Sequence, residues 1–341
     1  MQLKLLKHLL KDIHNIQIAV YGDFCLDAYW ILDPEGGEIS VETNLKAEAV
    51  RRQYYNLGGA SNVVANLAAL APAKIRLAGV IGDDIFGREM LQQFSQLDVD
   101  AARLIRQKDN YDTVVFAKRY LDKQEQPRID FGFFNQRTAA TDEAIIQSLY
   151  ELLSDSDALI FNQQVPGVLS RHFIEMANKL FEDFNDKVIV LDSRHYGEQF
   201  KNMYRKTNNI EAAQLLGLVP EEQLSQAQIF EMGRTLFEQF HKPVFLTLGA
   251  DGILTLDERG ANHIPGIMFG SQLDTVGAGD TVMSALTAAL GAGYEPAVAA
   301  EFANLAAGVT VQKLFQTGTA TGEEIIALNE TARFGKQLSP P

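Results

Sequence analysis

The stretch Asp274-Thr275-Val276-Gly277-Ala278-Gly279-Asp280 stands directly before a run of small, mostly apolar residues at 281–290. This pattern predicts a glycine-rich turn that opens a buried helix. The small residues let the backbone approach a ligand closely, and the free N–H groups of a helix N-terminus favour an anion. Asp280 lies beside that position, where a carboxylate can accept a proton from an attacking alcohol. The alternative is a structural turn in which Asp280 only caps the helix.

Outward from this turn, short apolar runs of strand type alternate with helical patterns along most of the chain. That alternation is typical of a mostly parallel sheet with helices on both faces, and it predicts an α/β fold. The predicted strands span residues 17–21, 75–81, 158–161, 188–191 and 244–248. The predicted helices span residues 1–13, 60–70, 86–97, 142–153, 171–181 and 281–290.

Two segments interrupt the alternation, residues 31–55 and residues 111–134. Polar and apolar residues interleave in the second segment, as they do in a hairpin with one face in solvent. We interpret both segments as a small β-sheet lid on an α/β core of residues 1–30, 56–110 and 135–341. Such a lid closes a site against water. Two ordinary surface hairpins are the alternative.

The composition argues against several classes of protein. The 341 residues include 30 basic and 44 acidic ones, and the resulting net charge of −14 disfavours nucleic acid as a partner. The single cysteine, Cys25, cannot form an internal disulfide, so we expect a cytoplasmic protein. Lysines interrupt the leucines of residues 1–13, and no later stretch reaches ~18 apolar residues, so we expect neither a signal peptide nor a membrane span.

Residues 274–280 match D-T-x-G-A-G-D, the signature of the ribokinase/PfkB family of carbohydrate kinases, and the chain resembles that family in further motifs. A second glycine motif stands at 58–62, N-x-x-E stands at 208–211, and T-x-G-x-x-G stands at 247–252. These matches follow one another in the order that the family has. The resemblance implies a ribokinase-like fold, with a small β-sheet lid, and ATP-dependent phosphorylation of a sugar hydroxyl.

The resemblance also implies roles for single residues. Asp280 becomes the catalytic base, and the backbone of Gly277, Ala278 and Gly279 becomes the anion hole for the transferred phosphoryl group. Asn304, on a late helix, would lie near the adenine. The residues that would line the nucleotide as a whole are Asn208, Thr247, Gly249, Gly252 and Asn304.

Asn208 and Glu211 would, by the same resemblance, organise Mg²⁺ through its water shell, which makes ATP and Mg²⁺ the implied cofactors. The residues alone leave a simpler explanation open for two of these positions. Asn208 is a good cap for the helix that follows it, and Gly249 suits a hairpin turn with Gly252.

The first predicted strand ends near Asp23, and the carboxyl ends of strands are where open α/β sheets bind ligands. Carboxylates there accept hydrogen bonds from sugar hydroxyls, and Asp23 is the stronger candidate. Asp27 is the second candidate, with a cap or a brace of the lid as its alternative role. Gly58, Gly59 and Asn62 would complete the hydroxyl contacts, the glycines by close approach and the asparagine by donating and accepting together.

Residues 22–30 resemble the G-D-x-x-L-D-x-Y-W run of the heptose-phosphate kinase branch of the family. That branch also carries a K-R pair and an R-x-D-F run in its lid strands, and Lys118, Arg119 and Arg128 stand at the matching positions. The resemblance implies a basic cluster for the phosphate of an acceptor such as heptose 7-phosphate. Solvated lid charges are the alternative.

Other positions depart from this branch. Residues 162–167 replace its acidic, tyrosine-containing turn, and Phe315 and Gln316 extend its K-x-G-T stretch. The heptose pathway often fuses the kinase to a nucleotidyltransferase, and we expect no such domain in this chain. These departures predict a substrate, or a phosphate position, that differs from the branch.

The chain contains no G-x-x-x-x-G-K-[ST] motif, and its six histidines are scattered, so we expect neither a P-loop nor a metal cluster. Two other functions stay open: a nucleoside or free-ketose kinase of the same fold, and a catalytically retired sugar-phosphate-binding regulator. Lid strands with free edges also predict a homodimer through the lid. The expected partners are therefore a small sugar or sugar phosphate and a second copy of the chain, with neither nucleic acid nor membrane.

Overall fold

A computed structural model describes residues 1–122, 124–219, 224–314 and 317–339, so Phe315 and Gln316 lie outside the described residues. The strands are β1 (Gln17–Gly22), β2 (Phe24–Asp33), β3 (Ala49–Gly59), β4 (Lys74–Gly82), β5 (Asp100–Gln107), β6 (Val114–Leu121), β7 (Gln124–Phe131), β8 (Ala158–Gln163), β9 (Val188–Ser193), β10 (Tyr204–Asn208), β11 (Val244–Thr247), β12 (Ile253–Asp257) and β13 (Gly260–Ile264). The helices are α1 (Leu3–Ile13), α2 (Ala60–Leu70), α3 (Ile85–Gln96), α4 (Ala139–Asp155), α5 (Arg171–Asp183), α6 (Asn209–Leu215), α7 (Gln226–Phe240), α8 (Ala278–Gly291), α9 (Pro296–Thr310) and α10 (Gly322–Thr331).

The larger sheet has nine strands in the order β13-β12-β11-β10-β9-β8-β1-β4-β5. All neighbours from β5 to β11 are parallel, and β12 and β13 continue the sheet as antiparallel strands. The predicted mostly parallel α/β fold is therefore confirmed. Each of the five predicted strands belongs to this sheet. Because parallel strands share one direction, their carboxyl ends line a single edge, which receives the residues of the candidate site.

Helices cover both faces of the sheet because successive strand residues point to opposite sides. Phe245 of β11 belongs to the apolar cluster that contains Leu286 of α8, together with side chains of α1, α2, α3, α9 and α10. Its neighbour Val244 packs on the other face with Leu236 of α7, and Ile189 of β9 packs there with Leu149 of α4. No helix in the described residues is both long and apolar enough to cross a membrane.

Side-chain caps set where several helices begin. Thr138 accepts a hydrogen bond at its Oγ1 from the N–H of Thr141 (3.1 Å), so α4 starts at Ala139, before the apolar periodicity that predicted residue 142. Ser170 likewise accepts at Oγ from the N–H of Phe173 (3.0 Å), and α5 starts at the predicted residue. A cap therefore places a helix start more closely than the apolar pattern does.

The smaller sheet has four strands in the order β3-β2-β6-β7, with β2 and β6 parallel and the other pairs antiparallel. Strand β2 begins at Phe24, so this sheet includes residues 24–30, which the sequence analysis placed in the core. The ladder between β2 and β3 extends down to the pair Phe24 and Gly59, next to the start of α2. The smaller sheet therefore stands directly on the carboxyl edge of the larger one.

Candidate active site

A row of polar side chains lies at the carboxyl edge of the larger sheet. Asn162 of β8 pairs in register with Asp192 of β9, so both side chains point to the face that α8 covers. Lys206 of β10 lies on the same face and donates from Nζ to Oδ2 of Asp192 (2.7 Å). Asp192 and Lys206 are only 4% and 7% exposed, so this ion pair is buried. Burial lowers the pKa of Lys206, but the negative charges of Asp192 and Glu211 outweigh that effect and raise it overall. Lys206 is therefore charged.

The glycine-rich turn ends above this row. Gly277 has φ +80° and caps α8, and a Cβ on Gly279 would lie 3.3 Å from Nζ of Lys206. Within the described residues, the N–H groups of Gly279 and Asp280 have no acceptor, as is usual in a first helical turn. The N–H of Ala278 donates to the carbonyl of Thr275 (3.2 Å). Of the predicted anion-hole residues, Gly279 therefore offers a free donor beside a buried ammonium group, and the N–H of Asp280 is a second donor there.

Asp280 is partly buried in the first turn of α8 and accepts at Oδ2 from Nδ2 of Asn62 (2.7 Å). The pKa of Asp280 is raised to about 6, chiefly by burial; the hydrogen bond from Asn62 opposes this rise, and the charge of Asp192 adds to it. The cations Lys206 and Arg194 lower it. This carboxylate is therefore mostly ionised at neutral pH, with a pKa close enough to 7 to accept a proton readily.

Asp23 serves the junction between the two sheets. Its Oδ2 accepts hydrogen bonds from the N–H groups of Gln164 and Val165 (2.7 Å each), and its backbone carbonyl accepts from the N–H of Ala60 (3.1 Å). Burial raises the pKa of Asp23, while these backbone hydrogen bonds lower it. The turn at residues 162–167, where the sequence departs from the heptose-kinase branch, is thus hydrogen-bonded directly to Asp23.

Asp27 lies in the smaller sheet and forms an ion pair with Lys118 of β6 (Oδ2 to Nζ, 3.1 Å). The ammonium group also donates to the hydroxyl of Tyr29 (3.3 Å) and lies 5.0 Å from the centre of that ring. A Cβ on Gly58 would lie 3.3 Å from Cγ of Asp27, so the glycine leaves this carboxylate room. Gly59 has φ +52° and approaches the carbonyl of Asp23, where a side chain would collide.

The structure separates the three basic residues that were predicted to form one cluster. Lys118 and Arg119 are adjacent in β6, so their side chains point to opposite faces. Arg119 bonds to Glu48 (2.7 Å) and to the carbonyl of Pro127, away from Asp27. The guanidinium group of Arg128 lies over the ring of Phe116 (4.4 Å), on the face that carries Lys118. Only Lys118 and Arg128 therefore share the face of Asp27.

The predicted nucleotide residues meet at the ends of β10, β11 and β12. Asn208 pairs in register with Thr247, and Asn208 and Glu211 form a capping box: Oδ1 of Asn208 accepts from the N–H of Glu211 (2.9 Å), and Oε2 of Glu211 accepts from the N–H of Asn208 (3.0 Å). Gly249 and Gly252 shape the turn between β11 and β12 with φ +60° and +94°. The cap and the turn that were offered as alternatives are both present.

Asn304 of α9 lies close to that turn, because its Nδ2 donates to the carbonyl of Pro265 (3.0 Å) while the backbone of Gly252 lies against residues 264–266. No group of three or more histidine, cysteine, aspartate or glutamate side chains in the described residues is suited to hold a metal directly. Glu211 is partly exposed, and its Oε1 makes no hydrogen bond to the described residues. It therefore suits a hydrated cation, which Mg²⁺ usually is.

The ion pair of Asp192 and Lys206 was not predicted from the sequence. Asp192 stands at the carboxyl end of β9, which is apolar up to that residue, whereas Lys206 is the middle residue of the polar strand β10. A charged residue at the end of an apolar strand is a signal that could have identified Asp192, and no comparable signal marks Lys206.

We predict that Gly277→Ala lowers the rate of phosphoryl transfer about tenfold, because a Cβ at this position would lie 2.9 Å from Nδ2 of Asn62 and displace its amide from Asp280. Gly293→Ala, just beyond the C-terminus of the same helix, is the matched control, since Gly293 has φ +84° and a Cβ there would have nothing within 4 Å. Both variants should lose about 1–2 kcal/mol of stability from the positive φ. Steady-state kinetics and thermal unfolding measure the two effects. Equal activity losses would remove the contact with Asn62 as the cause.

Known proteins are similar to this chain over most of its length. The model of the pfkB family of carbohydrate kinases matches residues 15–322. The bifunctional protein HldE of Wolinella succinogenes is 31% identical over 321 residues, which cover 94% of this chain and 66% of the relative. The chain thus spans about two thirds of the length of that relative.

Solved structures show the same fold. Ribokinase from Thermotoga maritima superposes with a TM-score of 0.69 at 20% identity, over 92% of this chain and 99% of that one. Arabidopsis thaliana ribokinase, solved with ribose and ATP, has a TM-score of 0.69 at 18% identity, over 92% of this chain and 98% of that one. The ribokinase-like fold is therefore established. With the family match over most of its length, the chain belongs to the pfkB family of carbohydrate kinases.

Proposed function

We propose that this ATP-dependent sugar kinase transfers the γ-phosphoryl group to a sugar hydroxyl, with Asp280 as the base that receives the hydroxyl proton. The observation that carries the proposal is the position of a carboxylate with a pKa of about 6 beside free helix N–H groups. An ionised carboxylate at that position can accept the proton as the oxygen attacks phosphorus.

Stabilisation of the transferring phosphoryl group falls to the N–H groups of Gly279 and Asp280 together with Lys206. These donors are held by α8 and by the ion pair with Asp192, so they need little rearrangement when negative charge develops. Mg²⁺, if bound, would neutralise part of the negative charge of the phosphate groups. Glu211 and Asn208 would hold its water shell, and the turn from Gly249 to Gly252 would receive the nucleotide.

On the acceptor side we favour Asp27 over Asp23 as the direct partner of sugar hydroxyls. Oδ2 of Asp23 already accepts two backbone hydrogen bonds, whereas Asp27 shares its face with Lys118 and Arg128. Asn62 keeps one N–H for a hydroxyl after its bond to Asp280. Gly58 leaves space for the ring.

The substrate class depends on Lys118. The similarity to HldE supports a phosphorylated acceptor such as heptose 7-phosphate, whose phosphate would bind Lys118 and Arg128. A second candidate is an unphosphorylated sugar or nucleoside. It is favoured by the existing partners of these cations, because Asp27 and Asp130 already neutralise them.

We predict that Asp280→Asn lowers turnover ~100-fold or more and leaves ATP affinity unchanged, since it removes the base without changing the shape of the pocket. In the unchanged protein, kcat/KM should fall as the pH drops through about 6, because protonation abolishes the base. The measurements are stopped-assay turnover from pH 5 to 9 and calorimetric ATP binding. Asp186→Asn, an exposed surface change, is the control. Normal turnover in Asp280→Asn would exclude this base.

We predict that Lys118→Met raises KM about tenfold or more for a phosphorylated acceptor and much less for a free sugar, because it removes a phosphate-binding cation. The assay is ATP turnover with Mg²⁺ on a panel of free sugars, nucleosides and sugar phosphates that includes heptose 7-phosphate. Lys46→Met, an exposed lysine in the loop between β2 and β3, is the control. Activity on unphosphorylated substrates alone would select the second candidate, and no activity on any would favour the regulator.

We also propose a homodimer through the lid. The lid exposes several large apolar side chains: Ile39, Val41, Leu45, Val50 and Ile129. No strand in the described part of the chain pairs with the outer edges of β3 and β7, so these edges can pair with a second copy. Light scattering should give twice the mass of one chain, and Val41→Asp should shift the protein to the monomer. Val219→Asp, an equally exposed valine outside the lid, should not. A monomeric mass at micromolar concentration for the unchanged protein would contradict the proposal.

A further inference from the structure

A buried chain of hydrogen bonds links α8 to α2 and returns to Asp280. Oγ1 of Thr281 donates to Oδ1 of Asn66 (2.8 Å), and Nδ2 of Asn66 donates to Oδ1 of Asn62 (3.3 Å) and to its backbone carbonyl (2.9 Å). Nδ2 of Asn62 then donates to Oδ2 of Asp280 (2.7 Å). This series of hydrogen bonds begins at Thr281 and ends at Asp280, which are adjacent residues of α8. Asn66 and Thr281 belong to none of the sequence motifs described above.

The bonds in this chain all run in one direction. An ionised carboxylate only accepts, so Asn62 must turn its Nδ2 toward Asp280 and its Oδ1 toward Asn66. Oδ1 of Asn62 in turn requires a donor, which is Nδ2 of Asn66. That leaves Oδ1 of Asn66 facing Thr281, whose hydroxyl can donate. Each amide orientation therefore depends on the group before it.

Because these side chains are buried, reversing the direction of the hydrogen bonds would be costly. Asn62, Asn66 and Thr281 are each 2% exposed, so a reversed amide has no bulk solvent to compensate the lost hydrogen bonds. The hydroxyl of Thr281 has one other acceptor, the carbonyl of Gly277 at 3.3 Å, in the turn that presents the helix N–H groups. The same hydroxyl thus lies against both the turn and the base.

We propose that Asn66 and Thr281 are positioning residues, which orient the amide of Asn62 so that it donates to Asp280 and keeps this carboxylate ionised and in place. The inference deepens the proposed function, since it assigns a support to the proposed base. Neither residue needs to touch a substrate. Both residues act on Asp280 through Nδ2 of Asn62.

Several other charged or titratable groups face Asp280, and they set the background for this effect. Asp192 approaches from β9, Lys206 from β10, and Arg194 from the loop after β9, while Cys25 lies nearby on β2. Asn62 approaches from α2 and is the neutral group that favours the ionised carboxylate by direct hydrogen bonding. Removal of its donor should therefore raise the pKa of Asp280 above its present value of about 6.

The test measures the pKa of Asp280 directly in the protein without substrates, by ¹³C NMR titration of aspartate-labelled protein with Asp280→Asn as the assignment reference. We expect Thr281→Val to raise this pKa by about one pH unit, the scale of one hydrogen bond to a charged group. Thr281→Ser should restore it because it returns the hydroxyl. Thr287→Val is the control, since Thr287 is also buried on α8 and donates only to the carbonyl of Met283.

Asn66→Leu is an independent second variant, which removes the donor to Asn62 and should raise the pKa in the same direction. In kinetics, both variants should lose more activity at pH 6 than at pH 8, with KM for ATP unchanged within about twofold. A general loss of structure would instead reduce activity by one factor at every pH.

An unchanged pKa of Asp280 in both Thr281→Val and Asn66→Leu would overturn the inference, as would a pKa rise that Thr281→Ser fails to reverse. The pKa readout does not depend on catalysis. A raised pKa in protein whose turnover ignores Asp280 would support the positioning role and reject Asp280 as the base, so the two failures are distinguishable.

Discussion

The hydrogen bond between Asn62 and Asp280 joins two helix starts that are 218 positions apart in the chain. Helix α2 follows the smaller sheet, and α8 follows the glycine-rich turn, so the bond connects the acceptor side of the site to the phosphoryl side. It forms because both helices pack on one face of the larger sheet, where Ser284 of α8 also donates to the carbonyl of Val63 in α2 (2.9 Å). The parallel sheet places both N-termini at its carboxyl edge, and the proposed chemistry depends on that coincidence.

Much of this arrangement was predictable from the sequence, and the failures have physical causes. The apolar runs that form β1, β4, β8, β9 and β11 were predicted as strands, and α2 has its predicted bounds. Strand β10 was not predicted, because Tyr204-Arg205-Lys206-Thr207-Asn208 has a polar sequence. Its charges are nonetheless buried: Lys206 is paired with Asp192, and Arg205 lies with its guanidinium group 3.4 Å from the centre of the Phe240 ring. These partners stand on the neighbouring strand β9 and on helix α7, and the periodicity of the sequence does not reveal them.

The candidate site shows the same limit. The motif residues gather at one edge as the resemblance implied, but the proposed basic cluster required a strand register that the sequence does not show. Adjacent residues in a strand point to opposite faces, so the pair Lys118 and Arg119 was bound to separate once β6 formed. The local charge also differs from the overall one. In a chain with net charge −14, the cations at this edge form ion pairs with individual aspartates, as Lys206 does with Asp192.

The smaller sheet leaves the core at Asp23 and returns at Gly59, and the N–H of Ala60 bonds to the carbonyl of Asp23 between these two points. The chain passes between the two sheets twice more, between β5 and β6 and again after β7, so within the described residues four connections join the smaller sheet to the core. Asp27 and Gly58 belong to the smaller sheet, whereas Asn62 and Asp280 belong to helices of the core. The proposed acceptor residues and the proposed base therefore stand on different elements of the fold. If Asp27 holds the acceptor as proposed, substitutions on its face of the smaller sheet would alter which acceptor is bound and leave the direct contacts of Asp280 in place.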